Sequence, residues 1–241
     1  MSVEPGQART LLLTYFGPFP GVPVNPTFAL ATGTRRLLAE MRPDLQVITR
    51  ELPVSYDGSS IALRGALQET RPDALISLGV AVGREAVSLE KVAINLDSAG
   101  IEDNDGQMRC DEPIAPGGQE AYFSTLPVRE TYERLRAVGE PVEISYTAGT
   151  YVCNHVFYEG QRISRELGLS IPAGFVHVPA TRPDGEPLED SATELTAHRE
   201  TGGVVRDQRG VPTLPEGTVV RIIAEIASAP CPQWTSGTGL S

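Results

Sequence analysis

The chain has 241 residues, 40% of them hydrophobic, and a formal net charge of -11. That size suits one α/β domain spanning residues 1–241 around a single sizeable core, and the composition excludes a disordered chain. The acidic balance, with no Lys/Arg cluster against it, excludes nucleic acid as a partner, because phosphate binding needs basic patches. No apolar run reaches the length of a membrane span. The start, Met1 to Gly6, has no basic and apolar signal pattern. The expectation is therefore a cytoplasmic protein with no membrane contact. Cys110, Cys153 and Cys231 are scattered and odd in number, which fits neither a disulfide framework nor a zinc site.

Strand and helix patterns alternate along the chain. Thr10–Phe16 reads as a buried strand. Asn25–Met41 is helical, with Phe28, Leu30, Ala31, Leu37 and Leu38 on one apolar face. Leu45–Leu52 reads as a strand, and Ser59–Thr70 as a helix that stops before Pro72. Ala74–Leu78 is a short continuous apolar run, as expected of a strand covered on both faces. Val87–Leu96 reads as one strand, Glu130–Val138 as a helix and Val142–Tyr146 as a strand. Thr150–Leu167 is helical, Ala173–Val178 is a strand and Glu216–Ile226 a final helix. This order predicts an α/β fold with a twisted, largely parallel central sheet flanked by helices. Ser98–Gly118 and Thr181–Thr213 fit no element and read as long polar, turn-rich segments.

One cysteine falls between a strand pattern and a helix pattern. Gly149 permits the turn before it, and Cys153 follows in the first turn of the helix. The positive end of the helix dipole there favours thiolate over thiol. Cysteine on its own more often serves as a small buried hydrophobe. Partners elsewhere strengthen the catalytic reading. In open α/β sheets ligands bind beyond the carboxyl ends of strands, and His177 sits near the end of the Ala173–Val178 strand. His155, two residues from the cysteine, points away from the thiol by helical geometry, and His198 lies in an irregular segment. An acid is needed to orient the imidazole. Glu85, Glu90, Asp97 and Glu102 are all available, and spacing does not choose among them. Glu90 lies amid apolar neighbours, where a carboxylate needs a partner; a local ion pair with Lys91 or Arg84 would equally supply one.

Several segments together resemble the pyroglutamyl peptidase I family of cysteine peptidases, the pyrrolidone carboxyl peptidases. They are Leu12–Phe19 with Val24-Asn25-Pro26, Gly83-Arg84 with Leu89–Asn95, and Asp103-Asn104 with Gly106. Asp111–Ile114, Ala121–Pro127, Ser145–Asn154 and Phe175–Pro179 follow in family order. The resemblance implies Cys153 as nucleophile, His177 as general base and Glu90 as the group orienting it. It implies no metal and no cofactor, and a homo-oligomer, a dimer or tetramer. The substrate it implies is a peptide beginning with pyroglutamate. It nominates Phe16, Phe19 and Tyr151 as walls of a slot for the lactam ring, and Asn25 and backbone groups near Val80 as its polar partners.

The chain departs from the family pattern at Tyr15, where glycine is usual, at Val80, where glutamine is common, and at Gly100, where many members carry arginine. The 182–211 segment is also atypical. These departures motivate the alternative of a catalytically impaired relative that binds N-terminally blocked peptides or has a structural role. A nucleoside-directed enzyme of the same architecture is a further alternative, disfavoured because no phosphate-cradling glycine loop is present and the cysteine motif would have no role.

Overall fold

The computed structural model describes residues 9–19, 22, 24–184, 205–207 and 210–229. Its frame is a six-stranded sheet of β1 (Arg9–Phe16), β2 (Leu45–Leu52), β3 (Ala74–Val80), β4 (Val87–Glu90), β7 (Val142–Ser145) and β8 (Ala173–Val178). The strand order is β2-β1-β3-β8-β4-β7. β1, β2, β3 and β8 run parallel to one another, and β4 and β7 are parallel to each other. The junction of β8 with β4 is antiparallel. The expected largely parallel sheet is present, with its direction reversed at that one junction.

Helices cover both faces. Alternate strand residues point to opposite sides, and two apolar clusters follow from that. Leu11, Leu13, Ile76, Leu78, Val176 and Val178 meet α1 (Thr27–Met41), α3 (Val128–Ala137) and α5 (Glu216–Ser228). Leu12, Phe16, Leu75, Ala173 and Phe175 meet α2 (Tyr56–Thr70) and α4 (Val152–Glu166). α1 buries Leu30, Ala31, Thr34 and Leu38 at helical spacing. α4 buries Val152, Val156 and Ile163 in the same way.

Several expected boundaries shift for identifiable reasons. α2 begins at Tyr56 rather than Ser59, because Ser55 supplies an extended N-cap position and Asp103 Oδ2 accepts the Tyr56 N–H at 2.9 Å. Gly58, a poor helix former, obscures that start. Val87–Leu96 is two strands, not one. Lys91 separates β4 from β5 (Val92–Ile94), and β5 leaves the main sheet to pair with β6 (Ala121–Phe123). The Ser98–Gly118 loop is pinned by a backbone bridge between Asp97 and Glu112. Within Thr181–Thr213, parts of β9 (Ala180–Arg182), β10 (Val205–Arg206) and β11 (Pro212–Pro215) form a small sheet in the order β10-β11-β9. Most of the atypical 182–211 segment, with His198, lies outside the described residues, as does Cys231.

Candidate active site

The α2/α4 face of the sheet gathers the candidate residues. β8 alternation puts Phe175 and His177 on this face, and β3 puts Gly79 there, opposite His177 in register. α4 descends the face from its N-terminal end. Cys153 lies over Gly79, and Gly160 further along lies over Leu75. Two glycines make this approach possible. Gly149 has φ +79°, a left-handed conformation that turns the chain into α4. Gly79 leaves the space: a Cβ there would stand 3.0 Å from Cys153 Sγ and 2.7 Å from Phe175 Cζ. The thiol therefore stands over the strand position paired in register with that of the imidazole.

Glu90 reaches His177 from the neighbouring antiparallel strand. Glu90 Oε1 is 2.7 Å from His177 Nδ1 and accepts a second hydrogen bond, at 2.8 Å, from Arg84 Nη1. Glu90 is fully buried, and His177 is 4% exposed. A carboxylate accepts only, so His177 Nδ1 carries the hydrogen and Nε2 is free to take a proton. Arg84 also reaches the Thr147 carbonyl, which ties the loop before α4 to the same carboxylate. The two roles open for Glu90, orienting a base and pairing with a nearby cation, are thus filled at one oxygen, and the cation is Arg84.

The electrostatics correct one expectation. The Cys153 thiol is not acidified. Burial and then the Glu90 charge push its pKa up to about 12, with Arg84 opposing. The helix terminus is too weak a field, at about 1 kcal/mol, to reverse desolvation of that size. Burial also lowers the pKa of His177, against the opposing hydrogen bond and charge of Glu90. The resting pair is a neutral thiol and a neutral imidazole.

The nominated slot residues divide. Phe16 is buried on this face, its ring 6.5 Å from that of Phe175. Phe19 and Tyr151 pack against the same cluster, and Tyr151 donates its hydroxyl to the Glu102 carbonyl. The Asn25 amide is occupied locally: it donates to the Gly17 carbonyl and accepts from both the N–H and the hydroxyl of Thr27. The Val80 side chain packs on the opposite face, against the α1 side, as does Tyr15. These two departures therefore put their side chains on the face away from Cys153 and Phe175. Gly100 is exposed, with open space where a side chain would project.

Phe175 escaped the sequence reading as a site residue. Its ring stands 4.8 Å from the His177 ring and 6.1 Å from Phe157. The signal was available: it lies two positions before His177 on a strand, hence on the same face. Among the described residues no group of three or more His, Cys, Asp or Glu side chains is placed to hold a metal ion. A separate groove lined by Leu37, Met41, Leu135, Val138 and the charged Arg134, Glu140, Arg221 and Glu225 lies on the opposite, α1/α3/α5 side and includes none of Cys153, His177 and Glu90.

A family model described as Pyroglutamyl peptidase matches residues 9–186. The pyrrolidone-carboxylate peptidase of Gloeobacter violaceus is 42% identical over 208 residues, covering 83% of this chain and 98% of that protein. The pyrrolidone-carboxylate peptidase 1 of Ralstonia nicotianae is 42% identical over 170 residues, 70% of this chain and 78% of that protein. The crystal structure of Bacillus amyloliquefaciens pyroglutamyl peptidase I superposes with a TM-score of 0.74 at 33% identity, covering 91% of this chain and 95% of that one.

Proposed function

Because this chain belongs to the pyroglutamyl peptidase family, we propose that Cys153, His177 and Glu90 carry out the family's reaction here. That reaction is release of an N-terminal pyroglutamyl residue by a cysteine hydrolase. The observation that carries the residue assignment is the shared buried oxygen of Glu90, which fixes the His177 tautomer on the sheet face that also holds Cys153.

The neutral resting pair sets the order of events. The substrate carbonyl arrives beside Cys153 at the start of α4. His177 Nε2 takes the thiol proton as sulfur attacks, and Glu90 stabilises the imidazolium that forms. The oxyanion is held by the N–H groups of Val152 and Cys153. Those groups precede the first intrahelical bond, from His155 N–H to the Tyr151 carbonyl, and no side chain caps this terminus. His177 then gives its proton to the departing amine. Water, activated by the same imidazole, hydrolyses the thioester.

Selectivity follows from desolvation. An apolar slot bounded by Phe16, Phe19 and Tyr151 accepts an uncharged lactam. A free amino terminus would lose its hydration there at a cost of several kcal/mol, on the order of 2–7 even for an uncharged polar group. The backbone near Val80 is the lactam's polar partner, and Asn25 acts by holding the opening loop. The chain works as one domain and as a homo-oligomer, a dimer or tetramer; exposed apolar side chains such as Phe123 and Met108 support association. The cytoplasm is its setting, since a working thiol needs a reducing compartment; among the described residues no helix is long and apolar enough to cross a membrane. The direct test compares pyroglutamyl and prolyl anilides. The pyroglutamyl anilide should be cleaved far faster, with turnover abolished in Cys153→Ala and by thiol alkylation. Equal rates, or full activity in that variant, would refute the assignment.

A further inference from the structure

A second buried constellation lies on the other side of the nucleophile helix. His155, two positions after Cys153 on α4, is 3% exposed. Its Nδ1 stands 2.8 Å from Asp97 Oδ2, and its Nε2 stands 2.7 Å from Ser60 Oγ on α2. Asp97 is fully buried and also receives Arg109 Nη1 at 2.8 Å. Arg109 returns to α2, donating to Asp57 Oδ1 at 2.6 Å and lying 4.6 Å above the Tyr56 ring. The Tyr56 ring in turn packs edge-on against His155 at 5.5 Å. The contacts close a circuit from α2 through the 97–112 loop to the first turn of α4 and back.

The Ser60–His155–Asp97 distances are those of a hydrolytic relay, but the placement is not. Ser60 sits inside α2 past its first turn, so its own N–H and those that follow it are committed to the helix and do not form an oxyanion site around its hydroxyl. The circuit touches α4 where position matters most. No side chain caps that terminus, and the thiol must meet both a carbonyl and the His177 imidazole. We propose that His155 is a positioning residue for the peptidase reaction, locking the first turn of α4 between Asp97 and Ser60 so that Cys153 is held in attacking geometry. This rests on Cys153 being the nucleophile. Asp97 is acceptor-only, so His155 Nδ1 carries the hydrogen, and Ser60 closes the imidazole's other edge. Asn154 assists from the adjacent position, exchanging hydrogen bonds with the backbone of Ile94 and donating to the Leu96 carbonyl.

The test uses the full chain with Ser60→Ala, Ser60→Thr and His155→Phe. Turnover of a pyroglutamyl anilide, the alkylation rate at Cys153 resolved by mass spectrometry, and Tm are read together. Ser60→Ala should lower kcat about tenfold, with KM within about twofold and Tm nearly unchanged, because small misplacements of reacting groups cost this much. Ser60→Thr, which keeps the hydroxyl, should restore most of it, and His155→Phe should lose more than Ser60→Ala. The alkylation rate should change in step. Wild-type kcat in both Ser60→Ala and His155→Phe would overturn the proposal. So would a loss that Ser60→Thr fails to rescue, or labelling of Ser60 by a fluorophosphonate, which would mean an independent nucleophile. Should the wild-type chain not turn over the anilide, the peptidase reading fails on its own, and the Cys153 alkylation rate still decides whether His155 positions the thiol.

Discussion

Glu90 and His177 lie on antiparallel strands, yet their side chains meet at 2.7 Å on one face of the sheet. The same Glu90 oxygen holds Arg84. An amide oxygen could still accept from both donors, with its NH2 at the position of Oε2, but it would carry no charge, and its NH2 would be buried where Oε2 has no hydrogen-bond partner. Glu90→Gln should therefore keep the imidazole's tautomer but lose the charge that stabilises the imidazolium, lowering kcat by about 10² to 10⁴, the range of general acid–base assistance. Steady-state kinetics with a pyroglutamyl anilide checks this; a loss under about tenfold would mean the Glu90 charge does not assist the base.

The neutral resting pair has a pH signature. Burial lowers the His177 pKa, so the unfolded chain binds a proton that the folded chain resists. The stability tied to neutral His177 is complete above the ordinary histidine value of about 6.5 and is lost progressively as pH falls from there through the lowered folded value. The acid limb of kcat/KM should accordingly lie below about 6.5. The thiol, pushed up to about 12, stays protonated through the working range. Alkylation at Cys153 should climb steadily with pH up to at least about 9, beyond the ordinary thiol value of about 8.5. A plateau beginning in the acid range would instead reveal a preformed thiolate–imidazolium pair.

Gly79 and Gly149 should fail differently. Alanine at 79 places its Cβ 3.0 Å from Cys153 Sγ and closer still to the Phe175 ring. Gly79→Ala should cut kcat by about 100-fold, as a displacement near 1 Å does, and the displaced thiol should alkylate at a changed rate. Gly149 has open space around it but φ +79°. Gly149→Ala should instead cost stability, about 1 kcal/mol by strain at positive φ, read as a fall in Tm.

Much of this site was legible in the chain itself. The strand-turn-helix pattern around Gly149 located Cys153, and the strand end located His177, because strands and helices fix where side chains emerge. The choice of Glu90 needed the family resemblance. Its partner strand reverses direction at the β8–β4 junction, and pairing direction leaves no mark on an alternating apolar pattern. The raised thiol pKa was illegible for a related reason. A helix start is visible in sequence, but the burial and the neighbouring carboxylate that outweigh its dipole come from tertiary packing. His155 was set aside correctly as facing away from the thiol, yet its partners Asp97 and Ser60 lie 58 and 95 positions away and could not be foreseen.

Of the three single-residue departures from the family pattern, Gly100 is the one that stands where a charged side chain is common. Tyr15 and Val80 turn their side chains to the other face, whereas Gly100 is exposed, outside the left-handed region, and open to a side chain. Gly100→Arg should fold with little change in Tm and raise kcat/KM by several-fold, since a nearby cation stabilises developing negative charge. Unchanged kinetics would show that Arg84 already supplies the cation this site uses.

In the proposed reaction the sulfur of Cys153 carries the acyl group. Acid quench of the wild-type enzyme during turnover of a pyroglutamyl anilide, followed by peptide mass spectrometry, reads this directly. A pyroglutamyl thioester should be found on the peptide containing Cys153 and on neither Cys110 nor Cys231. Turnover with an unmodified Cys153, or turnover retained in Cys153→Ala, would contradict it.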